Sequence, residues 1–190
     1  MVMEFRLVYR GELPPNGKPQ DKALIRRAFH TQLRELWSQQ PLRGLVEDFR
    51  LYADPKYEGD KRATFVRNGP FLFLPLVSSS IFLVVQLNIL FLRRQPPGFL
   101  VGHAGDLDNR IKTPFDALRV PRELQDLPPG SSPGADETPY HCLLEDDALI
   151  TGFSVETDRL LDAKRDEEVL LVIQVRMMAT RKSWQNMEIT

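Results

Sequence analysis

Residues 70–92 contain no charged side chain, and this run restricts the fold more than any other feature of the sequence. A run of that length either crosses a membrane or is buried inside a folded domain. Pro75 and the serines at 78–80 interrupt it, and over residues 81–92 one alternate set is wholly apolar while the other includes Gln86 and Asn88. A period of two is typical of a central β-strand with one fully buried face. We therefore predict a buried strand over residues 81–92 and no membrane span.

Three further segments have the pattern of β-strands, and two have the pattern of helices. The strand candidates are residues 1–10, 148–156 and 168–178, in which apolar side chains alternate with polar ones. Residues 20–39 repeat apolar side chains at steps of three and four, with Asp21 as the expected N-cap, and a second helix is expected over 108–118. These elements predict an α+β fold in which helices pack against one mixed β-sheet.

The length and composition are those of one domain over residues 1–190, with 42% hydrophobic and 27% charged residues. A Pro-, Gly- and Ser-rich loop insertion is expected at 120–141, and the tail 181–190 is expected to be frayed. Cys142 is the sole cysteine, so the sequence has no disulfide framework or Cys-rich zinc site. The alternating N-terminus does not resemble a signal peptide, and a cytoplasmic location is expected.

Charge is distributed unevenly along the chain. Residues 1–112 contain 17 Lys and Arg against 11 Asp and Glu, whereas residues 113–190 contain 8 against 15. A nucleic acid would favour the basic part, because Lys and Arg replace counterions along phosphates. The DNA-binding candidates are Lys22, Arg26, Arg27, Arg34, Arg93, Arg94 and Arg110. The alternative for the basic side of the first helix, which also carries His30, is an ordinary solvated face.

Asp106 and Asp108 lie two residues apart, so on an extended segment both carboxylates would project to one side. Two close anions repel each other unless a cation compensates, and carboxylate oxygens are ligands that Mg²⁺ and Mn²⁺ prefer. Taken alone the spacing is unspecific, and Asp108 could instead cap the following helix. Lys112 follows Asp108 by four residues, which permits either a surface ion pair or a cation that stabilises charge on a phosphate.

A second acidic cluster, Glu145, Asp146 and Asp147, is framed by apolar residues on both sides. A turn at the entrance of a strand would account for it, and so would a metal site. In an extended segment Asp146 and Asp147 would point to opposite faces, so at most one of them would be a direct metal ligand.

Together the two clusters resemble the signature of the RusA family of Holliday junction resolvases. The matching segments are D-L-D-N-R-I-K at 106–112, F-D-A-L at 115–118 and E-D-D-A at 145–148. The resemblance covers mainly residues 81–155. It implies that Asp106, Asp108 and Asp147 are catalytic carboxylates that hold Mg²⁺, or Mn²⁺, and that Lys112 is a catalytic lysine. Asn109, Asp116 and Asp146 match as supporting residues.

The same resemblance implies an endonuclease that acts on four-way DNA junctions in recombination and repair, working as a homodimer that nicks opposing strands. Three features depart from the family pattern: the insertion between the two motifs, Pro114 where the family helix continues, and an unmatched N-terminal region. Pro114 suggests that the helix starts late or kinks. Two alternatives stay open, a non-catalytic DNA- or partner-binding module and a metal-dependent nucleotidyl or glycosyl transferase that uses the D-x-D pair.

Overall fold

The protein, represented by a computed structural model, is described for residues 3–14, 16–96 and 106–190, and for residues 106–108 the backbone alone is described. The strands are β1 (Glu4–Glu12), β2 (Val66–Asn68), β3 (Phe71–Val77), β4 (Leu83–Arg93), β5 (Tyr140–Leu144), β6 (Ile150–Arg159) and β7 (Glu168–Ala179). The helices are α1 (Pro19–Trp37), α2 (Leu42–Glu47) and α3 (Asp106–Leu118). The predicted α+β class, with helices packed against a mixed sheet, is confirmed.

The larger sheet has the strand order β1-β7-β4-β6 and consists of the four strands that the sequence predicts. β7 runs antiparallel to β1 and β4, whereas β6 runs parallel to β4. β4 buries Leu83, Val85, Leu87, Ile89 and Phe91 and exposes Gln86 and Asn88, which is the alternation read from the sequence. Within the described residues, no helix has the length and apolar character needed to cross a bilayer.

A second sheet, with the order β2-β3-β5, was not predicted. β3 and β5 are parallel and bury every residue, so they lack the alternation that marks a strand with one solvated face. β5 begins at Tyr140, so the prediction that the loop extends from 120 to 141 is wrong at its C-terminal end. Before β5 the chain is largely irregular, with a single 3-10 turn at Leu124–Asp126.

Helix α1 packs against β1 of the larger sheet, β5 of the smaller sheet and α3. It buries Ile25, Phe29, Leu33 and Trp37, as the periodicity predicts. The prediction that Asp21 is the N-cap is wrong. Lys18 occupies that position, and Asp21 lies one turn into the helix, where its carboxylate accepts a hydrogen bond from the Lys18 backbone N–H at 2.8 Å. An acidic residue there also interacts favourably with the helix dipole.

Two further expectations are corrected. Helix α3 does not start late, because its backbone is helical from Asp106, with Pro114 inside it. A kink at Pro114, the other alternative, stays a prediction. The tail is not frayed, because Asn186 and Ile189 are fully buried and the Asn186 amide donates to the carbonyl of Ile81 at 2.7 Å. The Asn186 side chain is thus satisfied by a carbonyl of the domain rather than by water.

Candidate functional site

The D-L-D-N segment forms the first turns of α3. Asp106 and Asp108 are helical in the backbone, so the extended geometry assumed for them is wrong. Their side chains lie outside the described residues, and the convergence of Asp106, Asp108 and Asp147 stays a prediction. Acidic residues in the first turn of a helix are stabilised by its dipole, which favours the start of a helix at this segment.

Asp116, near the C-terminal end of α3, lies between two cations. Its Oδ2 is 2.7 Å from Lys22 Nζ on α1, and its Oδ1 accepts from Arg119 Nη2 at 3.1 Å. Burial of Asp116 raises its pKa, but the bonds and charges of Lys22 and Arg119 outweigh burial and hold the pKa below its ordinary value. The carboxylate is therefore ionised at neutral pH, and it ties α1 to α3.

Asp147 opens a 3-10 turn, Asp147–Leu149, immediately before β6. Its Oδ1 accepts from Arg122 Nη2 at 2.6 Å, and its Oδ2 lies 3.6 Å from Arg119 Nε. The Arg119 guanidinium is buried, whereas Arg122 is exposed. Each carboxylate oxygen of Asp147 therefore faces a different guanidinium group.

Arg119 brings the two sequence motifs together. It directly follows α3 and pairs with Leu144 in an isolated parallel bridge, so the end of α3 runs beside the end of β5. Its guanidinium contacts Asp116 on one side and Asp147 on the other. Two acidic groups that lie far apart in the sequence thus share one buried cation.

Asp146 caps the same 3-10 turn by accepting from the Ala148 backbone N–H at 2.9 Å. That bond, with the nearby charge of Arg122, holds the pKa of Asp146 below its ordinary value. Because the chain turns here, Asp146 and Asp147 do not lie on opposite faces of a strand, and both contact Arg122. Glu145 accepts from the Ser78 hydroxyl at 2.7 Å and from the Ser79 N–H at 3.0 Å, which fastens the turn to the end of β3.

Lys112 is exposed on α3 and lines a small cleft of about 140 Å³ together with Lys22 and Asp116. Asn109, one turn earlier, accepts a backbone hydrogen bond from Asn16 N–H at 3.4 Å. Thr113 of the same helix accepts from the Gly17 N–H at 3.0 Å. The segment before α1 is therefore held against α3 beside Lys112.

The basic side of α1 is only partly solvated, because its exposed arginines are paired and two of its residues are buried. Arg27 pairs with Glu137 at 2.5 Å, Arg34 pairs with Asp136 at 2.7 Å, and Arg26 and His30 are buried. The remaining DNA-binding candidates are also engaged: Arg93 Nε donates to Gln95, Arg94 pairs with Asp166, and Arg110 Nη1 donates to the Leu13 carbonyl. Contact with DNA through any of these residues stays a prediction.

Sequence reasoning missed Arg119, Arg122 and Glu137. The spacing of Asp116 and Arg119 on consecutive turns was the available signal for the first of them. Among the described residues, no three His, Cys, Asp or Glu side chains are grouped closely enough to hold a metal ion. The chain matches none of the protein-family models, curated proteins or solved structures with which it was compared.

Proposed function

We propose that this protein is a metal-dependent endonuclease that cuts branched DNA, with four-way junctions as its substrate. The observation that carries the proposal is the shared contact of Asp116 and Asp147 with Arg119. The two segments that resemble the RusA signature are adjacent in the fold, although the long insertion separates them in the sequence. Such adjacency is what a site built from both segments requires.

The residues that would hold Mg²⁺ or Mn²⁺ are Asp106, Asp108 and Asp147. Three carboxylates form the hard, anionic donor set that these ions prefer. Asp147 fits this role, because its Oδ1 is held by the exposed Arg122, which can move away into solvent. When bound, the metal would polarise the scissile phosphate and lower the pKa of the attacking water.

The residues around these carboxylates have separate tasks. Lys112 supplies a positive charge that stabilises the charge developing on the phosphate. Arg119 is a positioning residue: it is buried, its guanidinium is hydrogen-bonded to Asp116, and its charge lies 3.6 Å from Asp147 Oδ2 and favours that orientation of the carboxylate. Asp146 caps the turn that presents Asp147. Arg122 neutralises Asp147 and, once released, can contact the DNA backbone.

The proposal includes a homodimer, because paired nicks in a junction require two sites related by a two-fold axis. The larger sheet has two edges that differ. At the β1 edge, the Gln32 side chain donates to the Val8 carbonyl at 2.7 Å and accepts from the Val8 N–H at 2.9 Å. At the other edge, β6 exposes Phe153, and this edge is the candidate contact between copies.

A second candidate function is a DNA- or partner-binding module without catalysis. It is favoured by one specific observation, that both oxygens of Asp147 face guanidinium groups. An ion-pair network of this kind can serve structure alone. In that case Arg122 would stay on Asp147 when metal is added, and the acidic turn would act only as an anchor.

The experiment is an incubation of labelled four-way junction, duplex and single-stranded DNA with the protein, in Mg²⁺ or in EDTA. We expect cleavage of the junction in Mg²⁺ alone. Asp147→Asn should abolish it, whereas Asp136→Asn is the matched control, because Asp136 is an exposed aspartate paired with an arginine at nearly the same distance. Binding without cleavage by the wild type, in Mg²⁺ and in Mn²⁺, would favour the binding module.

A further inference from the structure

A cavity of about 330 Å³ lies between α1, the smaller sheet and the loop that follows α3. Three aromatic rings line one part of it, those of Phe71, Phe73 and Tyr140, which contact one another at centroid distances of 5.4–5.9 Å. Leu127 and Pro128 line it from the loop. The smaller hydrophobic cluster of the protein is therefore incompletely filled.

Arg26 of α1 lines the same cavity and is only 3% exposed. Its Nη2 donates to the Asp116 carbonyl at 2.8 Å. The N–H groups of Nε and Nη1 are buried and have no acceptor, and within the described part of the chain no carboxylate lies within 4.0 Å of the guanidinium. Its neighbour Arg27 also lines the cavity, but that side chain is largely exposed and its charge is already paired with Glu137.

A buried guanidinium without a counter-ion is costly to the folded state. Burial of an isolated charge is strongly unfavourable, and buried N–H groups without acceptors add to this cost. Burial lowers the pKa of Arg26, which reflects the same lack of compensation. An anion that entered the cavity would supply both the missing charge and the missing acceptors, and Arg is the side chain best suited to a carboxylate.

We propose that this cavity is a binding site for a small aromatic carboxylate. The carboxylate would accept from Arg26, and the ring would pack among Phe71, Phe73 and Tyr140. The volume suits a molecule of one or two rings, since a cavity of about 150 Å³ already holds benzene. The site is separate from the carboxylates of the proposed nuclease, and its occupancy does not depend on that function.

The test uses 2-naphthoate as the probe and naphthalene-2-methanol as the uncharged analogue with the same rings. Binding is measured by saturation-transfer NMR and by the melting temperature of the protein. We expect 2-naphthoate to bind more tightly and to raise the melting temperature, because a ligand that binds only the folded state stabilises it. Arg26→Met should abolish the preference for the carboxylate, whereas Arg27→Met, on the next residue, should preserve it.

Ala23→Phe provides a second variant that keeps every charge and fills the cavity, which Ala23 also lines. It should block both probes. The proposal is overturned if the wild type does not bind 2-naphthoate, or if Arg26→Met and Ala23→Phe, each folded by circular dichroism, bind it as tightly as the wild type. These outcomes are independent of DNA cleavage.

Discussion

The Nε atom of Arg119 lies 3.6 Å from Oδ2 of Asp147, at the point where the end of α3 meets the turn before β6. Nη2 of the same guanidinium lies 3.1 Å from Asp116. A single buried cation thus lies between α3 and the acidic turn and contacts a carboxylate of each. If Asp147 is a metal ligand, Arg119 controls its position without contacting the substrate.

Arg119→Met should destabilise the protein by about 3 kcal/mol, because it removes one of the two cations that contact the buried carboxylate of Asp116. Urea denaturation measures the change in the free energy of unfolding. Arg122→Met is the matched control, since its guanidinium also contacts Asp147 but is exposed, and it should cost much less. Equal losses for the two variants would contradict a buried bridging role for Arg119.

Arg119→Lys tests positioning separately from stability. Lysine keeps the charge but cannot reach Asp116 and Asp147 together through one planar group. If cleavage is observed, we expect the Mg²⁺ concentration for half-maximal cleavage to rise about tenfold, as for other changes to residues that orient metal ligands. A merely structural residue would lower protein stability and leave this metal dependence unchanged.

Two buried histidines predict how stability depends on pH. Burial, with the nearby charges of His30 and Arg34, lowers the pKa of His141 to about 3, and burial also lowers the pKa of His30. Between pH 6.5 and 4.5 the unfolded chain therefore binds more protons than the folded protein. Stability should fall as the pH falls through this window, by at most about 1.4 kcal/mol per pH unit for each histidine.

His141→Phe should make that slope shallower, because one of the two groups no longer titrates. The measurement is the free energy of unfolding in urea at a series of pH values between 4.5 and 6.5. An unchanged slope in the variant would show that His141 takes up protons as readily in the folded protein as in the unfolded chain, which would contradict the lowered pKa. Above pH 7 the wild-type stability should be nearly independent of these two groups.

Light scattering tests the homodimer. We expect a dimer at micromolar concentration, with or without junction DNA, because paired nicks need two active sites. A monomer under both conditions would contradict junction resolution, although a nuclease that cuts one strand at a time would remain compatible with it.

Much of the fold could be predicted because each of these elements has a hydrophobic pattern within its own segment of the sequence. The alternation in β4 and β7 and the helical periodicity of α1 each follow from one face being buried. β5 was missed because both of its faces are buried, which removes the alternation. The tail was misjudged because its burial depends on contacts with Ile81, which lies far away in the sequence.

For the candidate site, the sequence predicts which types of residue take part but not the contacts between them. The acidic clusters stand out in the sequence, and the resemblance assigns roles to them. The links that Arg119 and Arg122 make to Asp147 could not be predicted, because they depend on how the insertion returns the chain to β5. The ion pairs on the basic side of α1 were missed for the same reason, since Arg34 and Arg27 pair with Asp136 and Glu137 of the insertion while they stay partly exposed.

The most direct test of the endonuclease proposal compares Asp108→Asn with Lys112→Ala in junction cleavage and junction binding. Both should abolish cleavage in Mg²⁺. Asp108→Asn should bind junction DNA as tightly as the wild type or more tightly, because it removes a negative charge, whereas Lys112→Ala should bind more weakly. Wild-type protein that binds the junction but does not cut it in Mg²⁺ or Mn²⁺, with no effect of Asp108→Asn on binding, would contradict the proposal.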